Sequence, residues 1–226
     1  MKQYLIVLAT CLLGFYSFAQ QHGSVLDSVN GRVYKTVKIG EQVWMTENFD
    51  GTKFQNGDII PHARTAEEWK KAGENGQPAW CYYLNDPANG AKYGKLYNWY
   101  AVNDPRGLAP DGWDIPSDDE WTILTDYLGG AGTAGTKMKS KQGWFVERAP
   151  QFFNANGTNS SGFSGAPGGH RPHVTFFSIN SYAEWWSSTE YDTGSVWVRG
   201  LPYDYGEVHR HFRNKEGGLS VRCVKD

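Results

Sequence analysis

The segment Trp185-Trp186-Ser187-Ser188-Thr189-Glu190 precedes three short alternating segments, and the chain then ends in Gly217-Gly218-Leu219-Ser220-Val221-Arg222-Cys223-Val224. Short runs of alternating polar and apolar residues, separated by turn residues, are typical of antiparallel strands with one buried face. The pattern therefore predicts a run of antiparallel strands that closes a sheet with the last residues of the chain. It also places Cys223 in the final strand.

Patterns earlier in the chain predict a hairpin and two helices. Residues 32–45 alternate on both sides of a turn at Gly40-Glu41, which predicts a β-hairpin. Thr65-Ala66-Glu67-Glu68 and Ser117-Asp118-Asp119-Glu120 have the form of capping boxes, so each predicts the start of a helix. Apolar residues recur at three-to-four spacing in the second helix, and this stripe should face the core. The stripe consists of Trp121, Leu124, Thr125 and Leu128.

Residues 129–184 are rich in Gly, Ser, Asn, Thr and Pro and carry isolated aromatic residues. Such a stretch is long for a loop inside a compact domain. It is either disordered or an ordered irregular region, and the regular spacing of the aromatic residues favours order. These residues are Trp144, Phe152, Phe153, Phe163, Phe176 and Phe177.

The composition bounds the size and the partners of the protein. A chain of 226 residues with 39% hydrophobic residues can build a real core, and we expect one domain. The formal net charge of −2 provides no basic field, which disfavours nucleic acid and anionic lipid as partners.

The first 19 residues have the pattern of a secretory signal peptide. Lys2 precedes an apolar stretch that ends in Ser17-Phe18-Ala19, so we expect cleavage after Ala19. A lipoprotein with Cys11 as the anchored residue is the less favoured alternative. The apolar stretch is too short to span a bilayer. We expect residues 20–28 to form a linker and residues 29–226 to form the domain.

Removal of the signal peptide leaves two cysteines, Cys81 and Cys223. An even number of cysteines in an oxidising compartment predicts a disulfide between them. The alternative is two separate buried thiols.

Several separate stretches carry a resemblance to a known family. They are Val43 to Asn48, Tyr97 to Asn103, Ala109 to Trp121, Ser161 to Ser164, Pro167 to Gly169, Trp185 to Glu190 and Ser220 to Val224. With these motifs the chain resembles the Fibrobacter succinogenes major domain (FISUMP) family, found in secreted and surface proteins of bacteria, over roughly residues 27–226. The family in turn looks similar to the formylglycine-generating enzymes, which also carry a Pro-x-x-x-Glu-Trp helix start. This resemblance implies an α+β fold of the C-type-lectin-like kind.

The chain departs from common family patterns at Asp114, where many members have His, and at His170, where Tyr is common. If these positions line a site, the ligand of this protein differs. The formylglycine-generating enzymes need two reactive cysteines that hold copper, whereas both cysteines of the mature chain look structural. We therefore expect no oxidase chemistry.

Two kinds of metal site remain as alternatives. Convergence of His170, His173, His209 and His211 in space would favour a metal-containing, enzyme-like domain. Asn and Asp residues in loops leave a structural calcium ion open, although such residues more often serve turns. These residues are Asn85, Asp86, Asn154, Asn156 and Asp204. We expect no other cofactor.

A polar and aromatic segment near the C-terminus is the candidate binding site. Tyr203-Asp204-Tyr205 lies between Pro202 and Gly206 and should form a presented loop, and a strand with His209 and His211 on one face follows it. The candidate ligand-binding residues are Tyr203, Asp204, Tyr205, His209, His211 and Arg213. The chain is thus predicted to be a secreted or surface-exposed, non-enzymatic module that binds a glycan or a surface protein. A scaffold that binds only proteins is a further alternative.

Overall fold

The computed structural model describes residues 20–145 and 155–225, which form an α+β fold with antiparallel sheets and short helices. The strands are β1 (His22–Asp27), β2 (Arg32–Ile39), β3 (Gln42–Met45), β4 (Trp80–Cys81), β5 (Leu96–Tyr97), β6 (Gly168–His170), β7 (Phe177–Ile179), β8 (Tyr182–Glu190), β9 (Ser195–Pro202), β10 (His209–Asn214) and β11 (Val224–Lys225). The helices are α1 (Ala66–Glu74), α2 (Pro87–Tyr93), α3 (Trp99–Val102), α4 (Asp118–Tyr127) and α5 (Ala131–Met138).

Two sheets dominate the architecture. The first has the strand order β1-β2-β3-β11, the second has the order β10-β9-β8, and neighbouring strands in both are antiparallel. The predicted antiparallel run is confirmed for β8, β9 and β10. The last strand, however, joins the first sheet, where Val224 pairs with Trp44. Cys223 lies just before this strand, and its carbonyl accepts a hydrogen bond from the backbone N–H of Met45.

Residues 20–28 contain a strand, so their assignment to a linker is wrong. β1 pairs with β2 over its full length, from His22 opposite Val37 to Asp27 opposite Arg32. Val25 packs against the core, and the buried carboxylate of Asp27 accepts hydrogen bonds from the following turn. Hydrogen bonds between backbone groups hold this edge strand, and they need no strong alternation in the sequence.

The predicted hairpin and both predicted helices are confirmed. β2 and β3 form the hairpin, with Gly40 at a φ of +64° in the turn, a region that glycine enters without strain. Thr65 and Ser117 each complete a capping box at the start of α1 and α4. Trp121 on α4 is fully buried, as its spacing predicts.

An aromatic core joins the sheets to the long Gly-rich stretch. Trp44 of β3 lies 4.8 Å from Trp121 of α4, measured between ring centroids. Phe163 packs within 5.9 Å of both rings, and Trp144 is buried in the same cluster. The described parts of the stretch, residues 129–145 and 155–184, are thus tied to the core by aromatic residues. Phe152 and Phe153 lie outside the described residues.

Cys81 and Cys223 are both free and buried, so the predicted disulfide is wrong. Cys81 packs with Trp69 and Leu96, whereas Cys223 belongs to a different core cluster that contains Tyr34. Each thiol is therefore enclosed by its own group of apolar side chains. Burial raises the pKa of Cys81 to about 11 and raises the pKa of Cys223 as well, which keeps both thiols protonated and unreactive.

The expected signal peptide, residues 1–19, lies outside the described residues. Within the described part of the chain, no helix has the length and apolar character needed to cross a bilayer.

Candidate binding site

The edge strand β10 organises the candidate site. Because side chains alternate along a strand, His209, His211 and Arg213 share one face of the second sheet, as predicted for the two histidines. Two residues of β8, Tyr182 and Glu184, lie on the same face on the far side of β9. The side chains of β8 and β10 meet across the central strand.

Gly200 of β9 makes this meeting possible. A Cβ atom at position 200 would lie 2.2 Å from the Tyr182 hydroxyl oxygen, so only glycine leaves room for that ring. The hydroxyl oxygen of Tyr182 lies 3.0 Å from Nδ1 of His209, and Nε2 of His209 lies 2.8 Å from a carboxylate oxygen of Glu207. Because Nε2 faces a carboxylate, it carries the proton in neutral His209, and Nδ1 accepts from the Tyr182 hydroxyl.

Glu184 is the buried centre of this face. Its Oε1 accepts a hydrogen bond of 2.8 Å from Nε of Arg213 and lies 2.5 Å from Nε2 of His211. Its Oε2 lies 3.4 Å from Nδ1 of His170, and both of these atoms are buried without a hydrogen bond. Burial acts to raise the pKa of Glu184, but the His211 hydrogen bond and the charges of His170 and Arg213 outweigh it and lower that pKa. Glu184 is therefore an ionised anchor for its neighbours.

A cleft of about 290 Å³ opens beside this centre. It is lined by His170, Pro172, His173, Phe212, Arg213, Asn214, Gly217 and Leu219. The backbones of Arg171 and Gly218 exchange two hydrogen bonds of 2.6 and 2.8 Å, which join two of the segments that form its walls. Phe212 is 49% exposed, but its side chain lies on the face of β10 opposite Arg213, where its ring stacks on Tyr191 with 4.4 Å between the ring centroids. The cleft thus combines polar side chains and the apolar ring of Pro172 with a fixed backbone.

The opposite face of β10 fixes the strand to helix α4. Asp118, at the start of α4, accepts a hydrogen bond of 2.6 Å from Arg199 and hydrogen bonds of 2.8 to 3.1 Å from Arg210. The guanidinium of Arg210 also lies 3.4 Å from the centroid of the Trp197 ring. Burial acts to raise the pKa of Asp118, but the hydrogen bonds from Arg210 and Arg199 outweigh it, so that pKa is lowered. This network holds the edge strand in place.

The predicted loop Tyr203-Asp204-Tyr205 lies outside the cleft. Nζ of the buried Lys139 donates to the backbone carbonyls of Pro202 and Tyr205, at 2.9 and 2.8 Å, and thereby supports the loop from below. Burial lowers the pKa of Lys139 to about 8, against the opposing charge of Asp204. Tyr203 packs against the core, and Tyr205 is 55% exposed. None of the three residues lines the cleft.

The six predicted binding residues therefore fall into three groups: one lines the cleft, two support its wall and three lie in the loop outside it. Of these, Arg213 lines the cleft, whereas His211 and His209 support its wall through Glu184 and Tyr182. Glu184 and Gly200 were missed by sequence reasoning. A glycine inside a strand pattern marks a close approach of other groups, and this signal was present at position 200.

The four candidate metal-binding histidines do not converge on one point. His170 and His211 reach Glu184, whereas His209 contacts Tyr182 and Glu207. Within residues 20–145 and 155–225, no group of three His, Cys, Asp or Glu side chains is placed to hold a metal ion.

Two of the residues considered for calcium have local roles in their loops. The carboxylate of Asp86 caps α2 by accepting from the N–H of Ala88, and the side-chain oxygen of Asn156 accepts from the N–H of Trp144. Asn154 lies outside the described residues.

Comparison with known proteins gives one match. The family model described as the Fibrobacter succinogenes major domain matches residues 37–225. No curated protein and no solved structure matches the chain.

Proposed function

The chain belongs to the Fibrobacter succinogenes major domain family, and from that premise we propose that it is a secreted or surface-exposed, non-enzymatic module that binds a glycan. The cleft beside β10 is its binding site. The pattern of residues 1–19 supports secretion.

The combination of groups in the cleft carries this proposal. A sugar ring presents an apolar face, which packs on an aromatic side chain, and hydroxyl groups around its edge, which need polar partners. His173, an exposed lining residue, offers an aromatic imidazole ring, and Pro172 adds apolar surface beside it. Arg213 and Asn214 line the same cleft with polar groups. Arg213 is fixed by Glu184, so less conformational freedom is lost when a ligand binds.

The burial of the central acidic group favours binding over catalysis. A general acid or base must come within hydrogen-bond reach of the reacting atom. Oε2 of Glu184 and Nδ1 of His170 lie 3.4 Å apart beside the cleft, and both atoms are shielded from solvent. In this arrangement the pair orients side chains instead of meeting a substrate.

A protein partner is the second candidate, and the position of β10 is the observation that favours it. Within the described residues β10 pairs only with β9, so its outer edge is open to a strand from another protein. Arg210 and Arg213 on this strand are charges of the kind that protect edge strands against such pairing. We therefore place the glycan first.

We also propose that the fold is of the C-type-lectin-like kind. The α+β content, the antiparallel sheets and the stretches with little regular structure at residues 139–145 and 155–167 support this assignment. An experimental structure of the chain, superposed on C-type-lectin-like domains, tests it.

A glycan-array measurement with two matched variants tests the proposed function. His173→Ala removes an exposed ring that lines the cleft, and Tyr205→Ala removes an exposed ring outside it. We expect saturable binding that His173→Ala weakens about tenfold, since a ring contact or a hydrogen bond contributes up to about 1.5 kcal/mol. Tyr205→Ala should bind like the wild type. The array is read with calcium and with chelator, so that a role of calcium becomes visible. Absence of binding to every glycan, or an equal loss in both variants, would contradict the proposal.

A further inference from the structure

We propose that the cleft selects glycans that carry a carboxylate group, and that Arg213 binds this carboxylate. The inference rests on the proposed function, because it names the ligand class of the same cleft.

The hydrogen bonding of Arg213 leaves one side of its guanidinium available. Nε donates to Oε1 of Glu184, and neither Nη atom has a hydrogen-bond partner within the described residues. The side chain is 33% exposed and lines the cleft. A guanidinium group is planar and rigid, so anchoring it at Nε also fixes its two Nη groups. Paired N–H groups of this kind match the two oxygens of a carboxylate.

Arg210, on the same strand, is an arginine whose guanidinium has hydrogen-bond acceptors within the protein. Arg210 donates from Nε and Nη2 to both carboxylate oxygens of Asp118 and also lies over the Trp197 ring. Arg213 makes one hydrogen bond to one oxygen of Glu184. Arg210 thus finds a full carboxylate acceptor within the protein, whereas Arg213 does not. A ligand carboxylate would accept hydrogen bonds from the two Nη groups of Arg213.

The charges around the cleft suit an anionic group. Its described lining contains Arg213, His170 and His173 and no Asp or Glu side chain. The nearest carboxylate, Glu184, is fully buried, and its charge is offset by Arg213. A carboxylate on the ligand therefore meets no exposed carboxylate among the lining residues. The exposed His173 adds an N–H donor at the same opening.

A comparison of matched acidic and neutral oligosaccharides tests the inference on the full chain. The probes are oligomers of galacturonate, glucuronate and mannuronate, each paired with the same oligomer after reduction of its carboxyl groups. Calorimetric titration should show at least one pair in which the acidic member binds about 10- to 100-fold more tightly, the size expected for charge-assisted hydrogen bonds. This comparison needs no variant.

Two variants then assign the preference to Arg213. Arg213→Lys keeps the positive charge and removes the paired N–H groups, so it should lose most of the preference for the acidic member. Arg210→Lys is the matched control on the same strand and should keep it. Thermal unfolding of both variants verifies that they fold.

Three outcomes would overturn the inference. If both members of every binding pair bind equally, the ligand class is wrong although the cleft still binds glycans. If Arg213→Lys keeps the preference, Arg213 does not bind the carboxylate. If no pair binds while the array identifies other neutral glycans, the proposed function stands and this inference fails.

Discussion

The ring of Tyr182 lies directly over Gly200, so close that a Cβ atom at position 200 would stand 2.2 Å from its hydroxyl oxygen and 2.6 Å from Cζ. The Gly200 position therefore decides whether Tyr182 reaches His209 across β9. Gly200→Ala should force the ring away and destabilise the fold by about 1–3 kcal/mol, the usual range for overpacking.

The Tyr182→Ala variant tests whether the Tyr182 ring causes that loss of stability. In a Tyr182→Ala chain the space over position 200 is empty, so adding Gly200→Ala should change the free energy of unfolding little. Urea unfolding of the four chains measures the coupling between the two positions. Equal effects of Gly200→Ala in both backgrounds would show that the Tyr182 ring is not the group that excludes the side chain.

Glu184→Gln tests the buried anchor. The substitution removes the charge that holds Arg213 and His211, and we expect a loss of about 1–3 kcal/mol in the free energy of unfolding. Glu190→Gln is the control on the same strand, because Glu190 pairs with Lys215 and its side chain is 47% exposed. That substitution should change stability by less than about 1 kcal/mol. Similar unfolding curves for both variants would rule out the anchoring role of Glu184.

Asp118 should contribute stability that depends on pH. Its pKa in the folded protein is lowered, so its contribution is complete above the unfolded value of about 3.9 and is lost as the pH falls through the folded value. Asp118→Asn should lose about 3 kcal/mol near neutral pH, because it leaves the buried Arg199 without its carboxylate. The difference from the wild type should be constant at neutral pH and shrink below about pH 4. A difference that stays constant down to acidic pH would contradict the assigned ion pairs.

The thiols give a direct chemical prediction. In a chain that begins at residue 20, Cys81 and Cys223 should not react with a thiol reagent in the folded state, because burial raises the pKa of both. Both should react in urea without any reductant. If neither reacts in urea until a reductant is added, the two cysteines form a disulfide.

The local elements of this fold follow from the sequence, whereas the site does not. The capping residues Thr65 and Ser117 act on helices that begin at the next residue, and the two-residue period alone puts His209 and His211 on one face. Their main partners come from distant positions. His211 meets Glu184, which is 27 residues away in the chain, and only the pairing of β8, β9 and β10 brings them together.

The prediction of the disulfide and that of the binding loop meet the same physical limit. The predicted disulfide assumed that Cys81 and Cys223 meet, but alternation and spacing do not say which buried side chains are neighbours. The loop from Tyr203 to Tyr205 looked like a binding loop because its residues are polar and aromatic. Its backbone carbonyls are instead held by Lys139, a contact between elements 66 residues apart that no local pattern reveals.

The central claim is that the cleft beside β10 binds a glycan, and an NMR titration of the labelled full chain with the tightest-binding glycan from the array tests it most directly. The account predicts saturable shift changes in His170, His173, Phe212, Arg213 and Gly217, with little change at Tyr205. Shift changes confined to the loop around Tyr205, or spread without saturation over the surface, would contradict it.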